Sequence, residues 1–484
     1  MNFKAISRNV GFALLTSAFF MFLSILVSLA NGNDSALAAL SISFVITFMV
    51  GFFPFIFVRN SDNITLKDGF MIIVLSWSLS FIFGMLPYVL WGGPFSVINA
   101  FFESVSGYTT TGATILENVE ALPNSLLFWR SSTHFIGGLG VVVFLLLIIP
   151  SSSPVRLRLT NLEISSLSRE GYRSRANKTV IIYSSVYFGL AVTSFLSYWV
   201  AGMSAFDAIN HAFSVCATGG FSTRNLSIGA YNSSVINAVT IVFMFLCSVH
   251  FGTLFMTVVT RSLKPLNSPV FKYYVSTVVV ACLVVSFTLR IGDSGLGLGG
   301  ALEQGIFHTL SFVSTTGFAI GDNNLWPAFA NVVMLFLGLQ CGMAGSTVGG
   351  IKADRLYLLF KSISQQVKHV LHPSSVNQIH VRNHIIRIEE VFPHILFIGL
   401  YMLLLCLSTA LTVLSGMDGN NALYASVSCL SNVGPAIGDM GTLGNFNGIT
   451  AMSKFILCLD MFVGRLEIYP VLAVVIMVFR IGKR

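Results

Sequence analysis

Charged residues are scarce in this chain of 484 residues. Asp, Glu, Lys and Arg together make up only 10% of it, whereas 54% of the residues are hydrophobic and 43 are Phe. The mean hydropathy is +0.81. A water-soluble core cannot bury this much apolar surface, so lipid must serve as the solvent. The composition therefore excludes a soluble enzyme or binding module and predicts an all-α membrane protein that crosses the bilayer many times.

Sequence patterns of catalytic and metal chemistry are also missing. The seven cysteines have neither CxxC nor metal-ligand spacing, which favours small buried residues over a metal site. Neither H-E-x-x-H nor G-x-S-x-G occurs, and no G-x-G-x-x-G follows a predicted strand. Four histidines lie close together in sequence without a cysteine or carboxylate to complete a metal site, namely His369, His372, His380 and His384. We therefore expect no enzymatic activity, no bound cofactor and no nucleotide site in this chain.

The net charge of +8 does not indicate a nucleic-acid partner. The basic residues lie mainly in short connections between apolar stretches, and they concentrate in every second connection. Because cytoplasmic loops of membrane proteins are enriched in Lys and Arg, this distribution predicts that both chain termini are cytoplasmic. The loops 151–178 and 367–391 then also face the cytoplasm, where they are candidate docking surfaces for a partner.

Ten apolar stretches are long enough to cross a bilayer, which takes about 20 residues. They lie near residues 10–31, 36–58, 69–92, 125–150, 179–201, 233–260, 272–291, 327–350, 392–416 and 451–480. Four shorter segments, 95–109, 205–216, 301–314 and 420–431, lie between members of the last eight. These segments are too short to cross, so we predict re-entrant helices.

Each short segment ends in a polar turn with a glycine. The four turns read Tyr-Thr-Thr-Thr-Gly at 108–112, Val-Cys-Ala-Thr-Gly at 215–219, Val-Ser-Thr-Thr-Gly at 313–317 and Leu-Ser-Asn-Val-Gly at 430–434. Aligned on Gly112, Gly219, Gly317 and Gly434, they are spaced by 219 − 112 = 107, 317 − 219 = 98 and 434 − 317 = 117 residues. This near-regular spacing indicates one helix-turn-helix unit used four times.

An irregular backbone inside a membrane must be covered by protein or must line a watery cavity. Four such turns around one axis could offer carbonyl oxygens that replace the water shell of a monovalent cation, and glycine permits the positive φ that such turns need. The alternative for any single turn is an ordinary helix end. The predicted cation-binding residues are Thr110, Thr111, Gly112, Ala217, Thr218, Gly219, Thr315, Thr316, Gly317, Asn432, Val433 and Gly434.

These features resemble the Trk/Ktr/HKT superfamily of potassium transporters, and in particular its bacterial Trk-type membrane subunits. The resemblance includes Phe128-Trp129-Arg130-Ser131, the glycines at 137, 138 and 140, and the run from Gly345 to Lys352. It implies four fused membrane-pore-membrane repeats, similar to potassium channels, behind two N-terminal helices. The corresponding divisions are 1–68 for the two helices, 69–150, 179–262, 263–366 and 392–484 for the repeats, and 151–178 and 367–391 for the loops.

The resemblance also implies a function and partners. It suggests potassium uptake across a bacterial inner membrane, a homodimer embedded in lipid, and a cytoplasmic regulatory subunit that binds a nucleotide such as NAD, ATP or ADP. Glycine at all four turns favours potassium, whereas Asn432-Val433 in place of Thr-Thr suggests weaker discrimination against sodium. A potassium symporter coupled to H⁺ or Na⁺ remains an alternative.

Glycines cluster in the second long helix of the third repeat. Five occur among the thirteen residues 338–350, and each costs a helix up to about 1 kcal/mol relative to Ala. Close helix packing through small residues is one explanation. The family resemblance favours a gating loop beneath the turns, made up of Gly338, Gly342, Gly345, Ser346, Thr347, Gly349, Gly350 and Lys352.

Charges are rare inside the last apolar stretch, where they are costly and normally face a cavity or a partner. Asp460, Arg465 and Glu467 are the examples. By resemblance, Arg465 is a pore-facing arginine that limits free cation leak. The alternative is an internal ion pair of Arg465 with Asp460 or Glu467.

Overall fold

The structure is a computed structural model, and it describes residues 1–59, 64–148, 176–292, 295–372, 379–381, 384–386 and 388–481. Its α-helices are α1 (Phe3–Ala30), α2 (Leu37–Phe57), α3 (Leu66–Gly84), α4 (Leu86–Trp91), α5 (Val97–Tyr108), α6 (Asn124–Ile148), α7 (Ala176–Val200), α8 (Ala205–Ala217), α9 (Ser234–Ser248), α10 (Phe251–Thr260), α11 (Pro269–Ile291), α12 (Leu298–Val313), α13 (Ala328–Leu339), α14 (Ala353–Leu371), α15 (Ile388–Leu414), α16 (Gly419–Ser431), α17 (Ala451–Arg465) and α18 (Ile468–Ile481). Two short antiparallel strands, β1 (Ile379–Val381) and β2 (His384–Ile386), form a hairpin before α15.

Six helical segments of the described chain are long and apolar enough to cross a membrane. They are Phe3–Ala30, Leu37–Phe57, Lys67–Trp91, Val180–Val200, Pro269–Ile291 and Val391–Leu414. Large apolar side chains on these helices point outward; Phe57, Phe287 and Leu403, for example, are 69%, 67% and 61% exposed. Such surfaces require lipid around them, so the chain is a multi-pass membrane protein.

The structure differs from the sequence prediction at three of the ten spans. Residues 233–260 and 451–480 form helix pairs, α9 with α10 and α17 with α18, that bend by 104° and 111°. The stretch 327–350 yields only the twelve-residue helix α13, which is followed by a non-helical segment. Extended backbone at Val249 and a positive φ of 57° at Glu467 mark the two bends. Hydropathy does not report either feature.

The four short helices predicted from the sequence are α5, α8, α12 and α16. Side chains of Ser96, Ser204 and Asp418 cap the N-termini of α5, α8 and α16 by accepting hydrogen bonds from backbone N–H groups, as capping residues commonly do. Helix α5 packs on α6, α8 on α6 and α7, α12 on α11, and α16 on α15 and α17. Each short helix therefore packs against a longer helix of its own repeat, and α8 also packs against α6 of the first repeat.

The buried core has two large parts. One joins residues of the first and fourth repeats, such as Phe102, Trp129 and Met461. The other joins residues of the second and third repeats, such as Tyr187, Phe307 and Met334. Residues of the short helices, such as Phe102 of α5 and Phe307 of α12, belong to these two cores.

Candidate cation pathway

Just beyond each short helix the backbone makes the same turn. One residue there has a left-handed conformation although it is not glycine: Thr110, Thr218, Thr315 and Asn432 have φ angles of 52°, 55°, 51° and 58°. The next N–H donates to a serine carbonyl five positions earlier, at 2.9 Å in every repeat; these serines are Ser106, Ser214, Ser311 and Ser428. The pattern is a Schellman helix end. Because left-handed non-glycine residues cost about 1–3 kcal/mol each, the surrounding contacts must hold these turns in place.

A glycine with positive φ follows two residues after each left-handed residue. These glycines are Gly112, Gly220, Gly317 and Gly434, with φ of 81°, 79°, 74° and 98°. The alignment predicted from the sequence is therefore wrong by one residue in the second repeat, where Gly220 and not Gly219 is equivalent to the others. Ala217, by the same register, is the last residue of α8 and precedes the turn. We call Thr110–Gly112, Thr218–Gly220, Thr315–Gly317 and Asn432–Gly434 the glycine turns.

The glycine turns contact one another in a closed ring. A Cβ placed on Gly112 would lie 1.9 Å from the carbonyl oxygen of Gly219, and one on Gly220 would lie 2.1 Å from that of Thr316. A Cβ on Gly317 would lie 2.3 Å from the Val433 oxygen, and one on Gly434 would lie 2.3 Å from the Thr111 oxygen. These contacts run from the first repeat to the second, from the second to the third, from the third to the fourth, and from the fourth back to the first. No side chain fits at these positions, so glycine is required both for the positive φ and for the close approach.

A single cavity touches all four of these glycines. Its lining also includes residues that follow the turns, among them Ala113, Phe221 and Pro435, and the side chains of Arg130 and Arg224. We call it the mouth cavity. Arg224 forms an ion pair of 2.9 Å with Asp207, and its pKa lies above the usual value chiefly because of that hydrogen bond.

The glycine-rich loop, residues 338–350, lies on the other side of the ring. Gly338 still belongs to α13, but Gly342, Gly345, Gly349 and Gly350 lie in non-helical backbone before α14. The Thr218 hydroxyl donates to the Thr347 carbonyl at 3.0 Å, and the Gly349 N–H donates to the Thr315 hydroxyl at 3.2 Å. The loop therefore contacts residues that precede the glycines, whereas residues that follow them line the mouth cavity.

Further hydrogen bonds hold the loop in this position. The Thr347 hydroxyl donates to the carbonyl of Cys216 in α8 at 3.0 Å. Within the loop, the Ser346 hydroxyl donates to the Met343 carbonyl at 2.6 Å, and the Lys352 ammonium donates to the Val348 carbonyl. Ser346, Thr347 and Lys352 are all buried, so water cannot easily replace these bonds.

Arg465 reaches this loop from the end of α17. Its Nη1 donates to the Thr347 carbonyl at 2.6 Å and its Nη2 to the Gly137 carbonyl at 3.4 Å. Of the two acidic residues considered as its ion-pair partners, Glu467 forms an ion pair with Arg355, and Asp460 accepts a hydrogen bond from Ser408. The described contacts thus connect Arg465 to the loop below the ring.

Comparison with known proteins identifies the family. The model of the TrkH cation transport protein family matches residues 37–480. The Trk system potassium uptake protein TrkH of Salmonella typhimurium is 34% identical, and the alignment covers 98% of both chains. TrkG of Escherichia coli K12 is 30% identical over 91% of both chains. The crystal structure of the potassium transporter TrkH from Vibrio parahaemolyticus matches with a TM-score of 0.88, 31% identity and 98% coverage of both chains.

This chain belongs to the TrkH family. The expected resemblance and the all-α fold are thereby confirmed. Because the related proteins are named as uptake proteins, the expectation of a transporter and not an enzyme is confirmed as well. Among the described residues, no group of three or more His, Cys, Asp or Glu is placed to hold a metal ion.

Sequence reasoning missed two features of this TrkH-family site. One is Gly220. The other is the serine six residues before each ring glycine, which supplies the carbonyl of every turn; the four are Ser106, Ser214, Ser311 and Ser428. An alignment on the Ser-to-Gly spacing of six residues would have found both features, since only Gly220 is six residues after a serine in the second repeat.

The two loops proposed as docking surfaces are only partly described in this TrkH-family chain. Residues 151–175 of the first loop lie outside the described residues, as do 373–378, 382–383 and 387 of the second. The second loop is bounded by α14, whose Arg355 pairs with Glu467 and stacks on the Phe397 ring, with its guanidinium carbon 3.7 Å from the ring centroid. These contacts tie the segment after the glycine-rich loop to the bend between α17 and α18.

Proposed function

We propose that this chain takes up potassium ions across a bacterial inner membrane, through a pathway that passes the ring of glycine turns. The single observation that supports this most is the cyclic contact between the turns, in which each ring glycine approaches the carbonyl of the residue before the next ring glycine. These carbonyls, of Thr111, Gly219, Thr316 and Val433, are the candidate ligands for a dehydrated potassium ion. The names of the relatives, potassium uptake proteins of Trk systems, agree with this assignment.

The glycine-rich loop is the proposed gate. It lies directly against Thr218 and Thr315, two of the left-handed residues of the ring. In this position it would obstruct a cation that leaves the ring toward the cytoplasm. Movement of the loop would open the pathway, and Arg465, bonded to Thr347, would oppose that movement and add a positive barrier.

The orientation and the partners belong to the same proposal. The distribution of Lys and Arg supports cytoplasmic termini, so the mouth cavity faces outward. A cytoplasmic nucleotide-binding subunit would control the gate through the loops 151–178 and 367–391, and the chain would act as a homodimer. The membership of the chain in the TrkH family supports these expectations.

A flux experiment tests the filter. Purified protein in proteoliposomes should transport potassium in preference to sodium, and Gly112→Ser or Gly317→Ser should lower that preference, because either side chain would displace the neighbouring carbonyl of the ring. Gly189→Ser is the matched control, since no atom of the described residues lies within 4 Å of a Cβ at Gly189. If both ring variants kept the native preference, the filter assignment would be wrong.

A coupled symporter is the second candidate, and one observation favours it. Asp460 is a buried carboxylate in α17 that accepts a hydrogen bond from Ser408, which in turn lies 3.1 Å from the hydroxyl oxygen of Ser426. A buried carboxylate of this kind could bind a proton. Potassium accumulation driven by a pH gradient, and abolished in Asp460→Asn, would favour the symporter; uptake that follows the potassium gradient alone would exclude it.

A further inference from the structure

Arg130 lies at the mouth cavity but is almost fully buried. Its Nε donates to a Glu103 carboxylate oxygen at 2.5 Å, and its Nη1 donates to the Ser222 carbonyl at 3.1 Å. The guanidinium carbon lies 3.5 Å from the centroid of the Phe221 ring. Phe221 and Ser222 directly follow the ring glycine Gly220, so this one side chain in α6 fixes the segment after the second glycine turn.

Glu103 fixes the corresponding segment of the first repeat. Its carboxylate accepts hydrogen bonds from the Thr114 hydroxyl at 3.1 Å and from the Ile115 N–H at 3.1 Å. Both residues lie just after the ring glycine Gly112. The Arg130–Glu103 pair thus connects two neighbouring segments of the ring, and its members are 3% and 0% exposed.

When the second repeat is aligned on Gly220, contacts similar to those of Glu103 are found in two other repeats, but they are made by other residue types. Nine residues before the ring glycines stand Glu103, His211, His308 and Ala425. The His211 Nε2 lies 2.8 Å from the Ser222 hydroxyl, and the His308 Nε2 accepts from the Ile320 N–H at 3.4 Å. Two histidine side chains therefore contact equivalent segments, whereas the first repeat uses a charged pair and Ala425 has no polar side chain.

The charges of Arg130 and Glu103 cancel. An electrostatic role of the pair can therefore be distinguished from a positioning role. A lone arginine at the mouth would repel cations, but a bonded carboxylate removes most of that field. A buried ion pair adds little stability because both ions lose their hydration. What the pair supplies in this place is directional: Arg130 Nη1 donates to the Ser222 carbonyl, and Glu103 accepts from the Thr114 hydroxyl and the Ile115 N–H, all beside the ring.

We propose that Arg130 and Glu103 form a positioning pair, which holds the segments after Gly112 and Gly220 in place and thereby sets the preference of the pathway for potassium over sodium. The inference rests on the proposed function, since it requires the ring to be the selective element. Small displacements of ring carbonyls would change the fit to a dehydrated ion. Neither residue needs to touch the ion.

The test compares the potassium-to-sodium flux ratio in proteoliposomes of Arg130→Gln, Glu103→Gln and the double variant. A ratio does not depend on how much protein is inserted, so poor expression cannot mimic the effect. Positioning predicts that all three variants lose selectivity, by about tenfold if the change is worth roughly 1.4 kcal/mol. A purely electrostatic role predicts opposite effects on cation flux in the single variants and native behaviour in the neutral double variant, and that result would overturn the proposal.

Two further variants sharpen the comparison. Combining Glu103→His with Arg130→Gln gives the first repeat the imidazole of the second and third repeats, and should restore part of the lost selectivity. Arg8→Gln is the matched control, because Arg8 also donates to a carbonyl, that of Val58, and stacks on a ring, that of Phe55, but does so between α1 and α2. Arg8→Gln should keep the native ratio.

The Gly112→Ser variant distinguishes a failure of this inference from a failure of the proposed function on which it rests. If Gly112→Ser lowers the ratio while the Arg130 and Glu103 variants do not, the ring is the filter and the positioning pair is refuted. If Gly112→Ser also keeps the native ratio, the proposed filter fails and the inference fails with it. Loss of selectivity in Gly112→Ser and in the Arg130 and Glu103 variants supports both the filter and the positioning pair.

Discussion

Arg465 and Thr347 are joined by a hydrogen bond of 2.6 Å from the guanidinium Nη1 to the backbone carbonyl oxygen. The same oxygen accepts a hydrogen bond of 3.0 Å from the Thr218 hydroxyl. One carbonyl of the glycine-rich loop is therefore bonded both to the last long helix pair and to the second glycine turn. Movement of the loop away from the ring must break both bonds.

Replacing Arg465 should therefore increase potassium flux. A hydrogen bond to a charged group contributes about 1.5–3 kcal/mol, which would shift the equilibrium of the loop by roughly ten- to hundredfold toward the open state. We expect Arg465→Gln to raise the rate of potassium uptake into proteoliposomes without the cytoplasmic partner. Arg465→Lys keeps the positive charge and should raise it less. Unchanged flux through well-inserted Arg465→Gln protein would argue against this role.

A smaller effect is expected from Thr347→Val. The substitution keeps the carbonyl that Arg465 and Thr218 contact, and removes the hydroxyl that donates to the Cys216 carbonyl at 3.0 Å. A neutral hydrogen bond contributes about 1 kcal/mol, so basal flux should rise by roughly fivefold. Ser346→Ala is the control, because the hydrogen bond of the Ser346 hydroxyl among the described residues stays within the loop, to the Met343 carbonyl. Equal increases in the two variants would show that general loosening of the loop is the cause.

Much of the site could be predicted from the sequence because its signals are local. Three of the four short helices begin at a capping side chain and all four lead into a turn with glycine, and the shortage of charge limits the possible architectures. The register of the second repeat could not be read in this way, because Val-Cys-Ala-Thr-Gly matches Val-Ser-Thr-Thr-Gly better than the correct pairing does. The φ angle at Gly220 and its approach to Thr316 decide the alignment, and the six-residue spacing from serine to glycine is the sequence signal that agrees with them.

The bend at Glu467 and the contacts between residues far apart in the chain could not be predicted from the sequence, for a different reason. The bend at Glu467 lies in an apolar stretch that has the length of a straight span, and hydropathy reports length but not direction. The partner of Glu467 is Arg355, which is 112 residues away in the chain. The Arg465 contact with Thr347 is likewise separated by 118 residues. Such pairs depend on the packing of whole repeats.

The Arg355–Glu467 ion pair should contribute to stability at the bend between α17 and α18. Both side chains are largely buried, with 6% and 15% exposure, so removal of one partner leaves an unpaired charge. Breaking a buried pair costs about 3–5 kcal/mol, and we expect Arg355→Gln and Glu467→Gln each to lower the midpoint of thermal unfolding in detergent. The neutral double variant should lose less than the sum of the two. An additive double variant would mean that the pair is not coupled, and Lys361→Gln on the exposed face of α14 is the control.

The corrected register of the second repeat gives the most discriminating prediction. A Cβ on Gly220 would lie 2.1 Å from the Thr316 carbonyl oxygen, a backbone atom that can move only if the ring distorts. A Cβ on Gly219 would instead meet the His134 ring, with Nδ1 at 2.4 Å. Both Gly220→Ala and Gly219→Ala should therefore lower the potassium-to-sodium flux ratio, but for different reasons.

Only the clash between a Cβ on Gly219 and the His134 ring can be relieved by another side-chain substitution. His134→Ala removes the ring that a Cβ on Gly219 would meet, so the Gly219→Ala/His134→Ala variant should recover selectivity relative to Gly219→Ala. The same His134 substitution should not rescue Gly220→Ala, whose obstacle is backbone. His134→Ala alone is the necessary control, because His134 Nδ1 also bonds the Ser214 hydroxyl at 2.9 Å. If His134→Ala rescued Gly220→Ala and not Gly219→Ala, the register inferred from the sequence would be correct and the one argued from φ and the ring contacts would be wrong.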